Sequence, residues 1–361
     1  MSVSILILSN LHQRFDWLLH RLRFLDQAGH KGEVLIGVWG GHDRIVELDA
    51  AVAALSGQMR VVVAAHHNSK VEDMSTRALD LAERSQGEYL VMQGDDDFLV
   101  PAAFDKPVAI LGADPTVSCA QGRVICFDPN ADYSRSFKIN EFPMWEALES
   151  DPLQRFAWLM KRYTFMWHAI YRRAQFIERF TYIREVHANT KDHTFFECVG
   201  DLYAVIKGKV VLTDDLFLIK GVHKDNDAKT QREGISYTMP PYLLLSDDFT
   251  ASYKVFEAQA FKLFRSMNVD VTDNAVRKDI LDGMMNFMGH RFFKRRAPQD
   301  DREIAFQRSL SQSPTPAPIT RALSLVAATG FPPERMTAWP VWRDVGNVRN
   351  QESALTEPVK E

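Results

Sequence analysis

The sequence predicts an α/β protein: a doubly wound, mostly parallel sheet over residues 1–230, then a helical C-terminal extension over 235–345 and a polar, frayed tail at 346–361. Two observations carry the sheet. Short apolar runs rich in β-branched residues alternate with helix-spaced apolar residues through the first hundred positions, and strands buried on both faces between helices belong in a parallel sheet. A third sets the scale: 361 residues at 46% hydrophobic content can fill the cores of about two domains.

Taken in order, strands are expected at 4–8 (SILIL), 34–38 (VLIGV), 60–64 (RVVVA) and 88–92 (EYLVM). The first apolar run is too short, and lacks the basic flank, for a secretion signal. Between strands one and two, FDWLLHRLRFL sets Phe15, Leu18, Leu19, Leu22 and Leu25 on one helical face. Before strand four, MSTRALDLAERS does the same with Ala78, Leu81 and Ala82. Further on, Phe195, Val199, Leu202 and Ile206 form a helical stripe, Gly208 ends that helix, and KVVLTDD reads as a strand and turn.

Composition excludes several classes. With 43 basic against 47 acidic side chains the net charge is −4, which lacks the basic field of a nucleic-acid binder. The 3 cysteines, Cys119, Cys126 and Cys198, have no zinc-ligand spacing and suit a reducing, cytoplasmic setting. No run of about 18 apolar residues offers a membrane span, so membrane contact is expected to be peripheral at most.

The chemistry is suggested by YLVMQGDDDFLVP, residues 89–101, where Asp95, Asp96 and Asp97 follow a buried strand directly. Ligands of open α/β sheets sit beyond the carboxyl ends of strands. Three hard carboxylates there suit Mg²⁺ or Mn²⁺ that keeps positions open for phosphate oxygens. The alternative is a solvated turn.

Over roughly residues 3–225 the sequence resembles the GT-A nucleotide-sugar glycosyltransferases, within them the family 2-like inverting enzymes, whose fold is Rossmann-like. The resemblance begins with SILILSNLHQRFDWLLHRLRFL and runs through NSKVEDMSTRALDLAERSQGEYLVMQGDDD into an Asp-x-Asp motif. It implies a nucleotide-diphosphate sugar as donor, contacted by Ser9, Asn10, Arg14, Asn68 and the aspartates, with Asp95 and Asp97 as metal ligands. In NTKDHTFFECVGDLYAVIKGKVVLTDDLFLIKGVH it implies Asp192 as general base and His223 as a metal or diphosphate contact. The competing reading of Asp192 is a helix cap, since Thr194 and Glu197 have capping-box spacing. Trp167 and His168, in RYTFMWHAIYRRAQF, fall in the family's acceptor-side segment and are candidates for the acceptor pocket, against packing in the core.

One departure stands out. Where the family places a nucleotide-reading acid after strand two, this chain has GVWGGHDR, which argues against a uridine nucleotide bound in the family's usual way; Asp43 could take over that contact, or Trp39 could stack on the base instead. In the extension, YKVFEAQAFKLFRSM and RKDILDGMMNFMGHRFFKRRA read as amphipathic helices. The basic cluster Arg291–Arg296 reads first as the solvated end of a helix packed on the catalytic domain; the alternative is that it meets an anionic membrane and a lipid-linked acceptor. The resemblance implies glycosyl transfer to a glycan or lipid-linked acceptor hydroxyl in surface polysaccharide biosynthesis. The alternatives are a catalytically silent nucleotide- or glycan-binding relative and, third, a sugar-phosphate nucleotidyltransferase.

Overall fold

The computed structural model describes residues 2–66, 74–127, 137–138, 144–161, 166–189, 193–221, 247–292 and 325. Strand β1 (Val3–Asn10) leads into α1 (Leu11–Gln27), then β2 (Glu33–Trp39), α2 (Ile45–Ala53), β3 (Arg60–Ala65), α3 (Met74–Arg84) and β4 (Tyr89–Gln93). The four expected strands therefore form, each within two residues of its predicted ends. β1, β2 and β3 pair in parallel, and β4 joins β1 in parallel on the other side.

Alternation along these strands builds two layers. Ile5 and Ile7 of β1 face α1 and α2 with Val34, Ile36 and Phe15, while Leu6 and Leu8 face α3 with Leu35, Ala78 and Leu81. Each such side chain, fully buried, contributes about 1.5–3 kcal/mol. α1 starts at Asn10, whose side chain accepts the His12 N–H, and buries Phe15, Leu18, Leu22 and Leu25 as the spacing predicts, with Leu19 half-buried.

Past β4 the sheet changes direction. β5 (Phe98–Leu99), α4 (Asp105–Ala113), β6 (Val117–Phe127), β7 (Phe137–Lys138), α5 (Pro152–Lys161), β8 (Ile170–Arg172), α6 (Arg173–His187), α7 (His193–Lys207) and β9 (Lys209–Gly221) follow. Among the described residues the strand order is β3-β2-β1-β4-β8-β6-β9-β5, with β7 on β6. β8 lies antiparallel between β4 and β6, and β6 runs parallel to β9, so most of the paired length is parallel. β9 corrects one expectation: instead of turning at Thr213–Asp215 it continues to Gly221, its register with β6 shifting near Gln121–Val124. This extension carries Lys220 to the end of β4.

The extension forms α8 (Asp247–Ser266) and α9 (Asn274–Phe292), close to the two amphipathic helices expected. α8 buries Phe256, Phe261 and Phe264 in the same cluster as Leu202 and Ile206 of α7. Asn68, Asp192, His223, residues 311–318 and the tail at 346–361 lie outside the described residues, as do the side chains of Arg291–Arg296.

Candidate active site

The aspartate triplet is buried. Asp95, Asp96 and Asp97 are 7%, 9% and 2% exposed, which removes the solvated-turn alternative. The chain leaves β4 at Gln93 and reverses through Gly94, whose carbonyl accepts the Asp97 N–H at 3.3 Å, before entering β5. A Cβ at Gly94 would lie 2.7 Å from Asp97 Oδ2 and 3.0 Å from Asp96 Oδ1. Glycine there is what lets the carboxylates fold back over their own turn. Gln93 closes the turn from beneath, its amide donating to the Asp97 carbonyl at 2.7 Å.

Each carboxylate meets a different element. Ser9, at the carboxyl end of β1, donates to Asp95 Oδ2 at 2.9 Å. Arg14, one turn into α1 and 3% exposed, sets Nη1 3.9 Å from Asp96 Oδ2. His168 Nε2 stands 3.0 Å from Asp97 Oδ2, and Lys220 Nζ 3.6 Å from the same oxygen. The other ring nitrogen of His168, Nδ1, lies 2.7 Å from the Met92 carbonyl. A carbonyl only accepts, so Nδ1–H donates to Met92 and the ring orientation is set from behind.

Arg21 adds a cation from below. It follows Arg14 by seven residues on the same buried stripe of α1, is 0% exposed, and lies over the ring of Phe98 with Cζ 3.4 Å from the centroid. None of its nitrogens hydrogen-bonds to the described residues. Burial lowers its pKa to about 9, against the upward pull of Asp96, Asp97 and Asp95. Its charge therefore acts through space while leaving carboxylate oxygens to other partners.

Of the residues expected from the sequence, the structure brings Ser9, Arg14, His168 and the three aspartates together. Asn10 is the cap of α1, and Trp39 sits beside it at the end of β2. The Arg77 guanidinium lies 4.4 Å over the Trp39 ring. Asp43 is exposed in a 3-10 turn, His42–Arg44. Trp167 is half-buried and packs edge-on against Phe180 at 5.4 Å. Sequence reasoning missed Lys220 and Arg21. The first had a signal, a lysine closing an apolar strand three residues before His223; the second had the spacing of Arg14 and Arg21.

The donor set suits a hard divalent ion, since carboxylate oxygens are its preferred ligands and imidazole beside one of them orders that ligand. Among the described residues no three His, Cys, Asp or Glu groups surround a common point. The arrangement is a buried, charged cluster at the carboxyl ends of β1 and β4, the end of the sheet where open α/β folds bind ligands.

No family model matches the chain, and no curated protein matches it. Among solved structures, its shape is similar to residues 1–349 of Staphylococcus aureus TarS, with TM-score 0.49 and 14% identity over 100% of this chain and 93% of that one. The same fragment in complex with UDP-GlcNAc gives 0.45 and 12% over 98% and 91%, and in complex with UDP 0.46 and 13% over 100% and 93%. At these identities and TM-scores the likeness says nothing of residues or chemistry.

Proposed function

We infer that the chain is a metal-dependent glycosyltransferase that moves a sugar from a nucleotide-diphosphate sugar to an acceptor hydroxyl with inversion. The observation that supports this best is the buried triplet Asp95–Asp97 at the carboxyl end of β4, in a mostly parallel sheet, with Arg14 and Lys220 beside it. Burying three adjacent carboxylates is costly unless cations offset them, and a site that keeps them serves a cationic or cation-bridged ligand. Mn²⁺ or Mg²⁺ held by Asp95 and Asp97 would neutralise charge growing on the leaving diphosphate.

The chain's own groups then divide the work. Ser9 donates to Asp95, and His168 packs its ring edge against Asp97. Arg14 and Lys220 offer positive charge to the diphosphate. Trp39, backed by Arg77, supplies a ring at the position where the nucleotide base is expected. Asp192, immediately before α7, takes the proton of the attacking hydroxyl as general base. A lipid-linked or glycan acceptor, reached through peripheral membrane contact, completes the reading. Among the described residues no helix is long and apolar enough to cross a membrane.

Release of nucleoside diphosphate from a panel of UDP-, GDP-, ADP- and dTDP-sugars with Mn²⁺ tests this. Asp192→Asn should lower release by about 10²–10⁴-fold while donor affinity stays within about threefold. Parallel loss of affinity and stability would assign Asp192 to helix capping instead. Binding without release in the wild type would favour the catalytically silent reading, which the aromatic Trp39 in place of an acid supports.

A further inference from the structure

The turn that brings His168 to the aspartates is pinned by groups that do not touch the aspartates themselves. Both sides of Met166 are engaged: its N–H donates to Asp201 Oδ1 at 3.1 Å, and its carbonyl accepts from the Ala169 N–H and the Tyr171 hydroxyl, each at 3.2 Å. Burial raises the Tyr171 pKa well above the ordinary tyrosine range, so its hydroxyl stays a donor. Behind this turn lies Arg179 of α6, 0% exposed, among the rings of Trp167, Tyr171 and Phe180 with Cζ at 5.4, 4.9 and 5.2 Å.

Arg179 is aimed at α7. Its Nε donates to the Gly200 carbonyl at 3.1 Å, and Nη2 lies 4.0 Å from Asp201 Oδ1. A Cβ at Gly200 would fall 2.7 Å from Nη2, so α7 is bare where the guanidinium passes. Two helices can pack through aliphatic side chains alone, and a buried ion pair at 4.0 Å is a poor way to stabilise them. What the pair adds is a charged acceptor for the Met166 peptide, two residues from His168.

We propose that Asp201, oriented by Arg179, is a positioning residue that fixes the 166–168 turn and thereby stands His168 on Asp97. Its significance for catalysis rests on the reading of the triplet as the donor site; the mechanical link does not. With the turn fixed, the His168 Nδ1–H on Met92 is closed in and exchanges slowly with water. With the Asp201 contact weakened, the turn opens locally and that proton exchanges faster than the molecule unfolds.

The test is hydrogen exchange of imidazole N–H signals in protein labelled with ¹⁵N at its histidine side chains, the His168 signal being the one absent in His168→Gln. Asp201→Asn keeps the size of the side chain and loses the charge facing Arg179. It should speed His168 exchange by about tenfold or more, with global stability to urea falling by less than that factor. Arg179→Met should do the same, and Arg179→Lys should restore part of the protection. If Asp201→Asn does not fold, the Arg179 pair carries the same readout. Unchanged exchange, or exchange accelerating only in step with global unfolding, would overturn the proposal.

A second arm connects the link to turnover. With whichever nucleotide sugar the wild type cleaves, kcat should fall about tenfold or more in Asp201→Asn while nucleotide affinity is held. If the wild type cleaves none, the glycosyltransferase reading fails while the exchange arm still decides the mechanical one. Normal kcat with fast His168 exchange would leave Asp201 without its positioning role in the site.

Discussion

Asp97 Oδ2 lies between His168 Nε2 at 3.0 Å and Lys220 Nζ at 3.6 Å, and the two partners differ in kind. His168 is buried and braced from behind, whereas the Lys220 side chain is 18% exposed on a flexible stem and can follow a ligand. Lys220→Met should therefore weaken nucleoside diphosphate binding about tenfold by calorimetry, and it should also lower stability, because the buried Asp97 loses one of its cations. Ser9→Ala removes a buried donor to a carboxylate and should cost about 1.5–3 kcal/mol of stability. A third residue tests electrostatics away from the site. Burial lowers the His30 pKa from 6.5 to about 4, so the folded chain holds it neutral while the unfolded chain protonates it. Its contribution is complete above pH 6.5 and is lost as pH falls toward 4, by up to about 3 kcal/mol. Chemical denaturation of His30→Leu should lack that part of the acid slope; an unchanged slope would assign it to another group. Ser9, Arg14 and the aspartates were legible because they occupy the ends of strands and the first turn of a helix, which the hydrophobic pattern locates. Lys220 and Arg21 carried weaker signals, a strand-end lysine and the seven-residue spacing from Arg14, and only the folded sheet reveals that both face the triplet.

At the scale of elements, the first four strands could be read from short β-branched runs because both faces of β1, β2 and β4 are buried and the valines of the edge strand β3 are half-buried. β6 could not. Its sequence VSCAQGRVICF breaks any apolar pattern with Gln121 and Arg123, yet both are 1% exposed. Arg123 is satisfied partly by Asp214 at 3.1 Å, on the strand it pairs with. The same pairing explains why TDD was read as a turn: Asp214 and Asp215 are ion-pair partners within a continuous strand, Asp215 holding Lys106 at 2.8 Å. Gly122 is the residue on which the two strands close. A Cβ there would lie 2.4 Å from the Asp215 carbonyl and 2.7 Å from Phe217 Cβ. Gly122→Ala should cost about 1–3 kcal/mol in urea denaturation, because backbone on the facing strand has to shift. A neutral result would show that the β6–β9 register is not the one described.

At the scale of the molecule, the C-terminal helices are part of the core. Phe264 of α8 meets Phe156 of α5 edge-on at 5.3 Å, Glu185 of α6 binds Lys262 at 2.6 Å, and Gly283 of α9 lies flat against Phe156. Phe264→Ala should cost about 3–5 kcal/mol, and truncation after residue 246 should give a chain without a cooperative thermal transition. The amphipathic pattern made α8 legible, whereas α9 forms without a marked apolar face, and the packing of both against α5, α6 and α7 emerges only from tertiary contacts. With the scaffold so closed, the central claim concerns the buried triplet, and the most direct measurement is a thermal-shift panel of nucleoside diphosphates and nucleotide sugars with and without Mn²⁺, on wild type and on Asp95→Ala/Asp97→Ala. Ligand that binds the folded state at about 100 times its Kd stabilises it by about 2.7 kcal/mol. The expected result is a Mn²⁺-dependent shift with one nucleotide, absent in a double variant that still unfolds cooperatively. No shift with any nucleotide, or an equal shift in the folded double variant, would contradict the assignment of Asp95–Asp97 as a metal–diphosphate site.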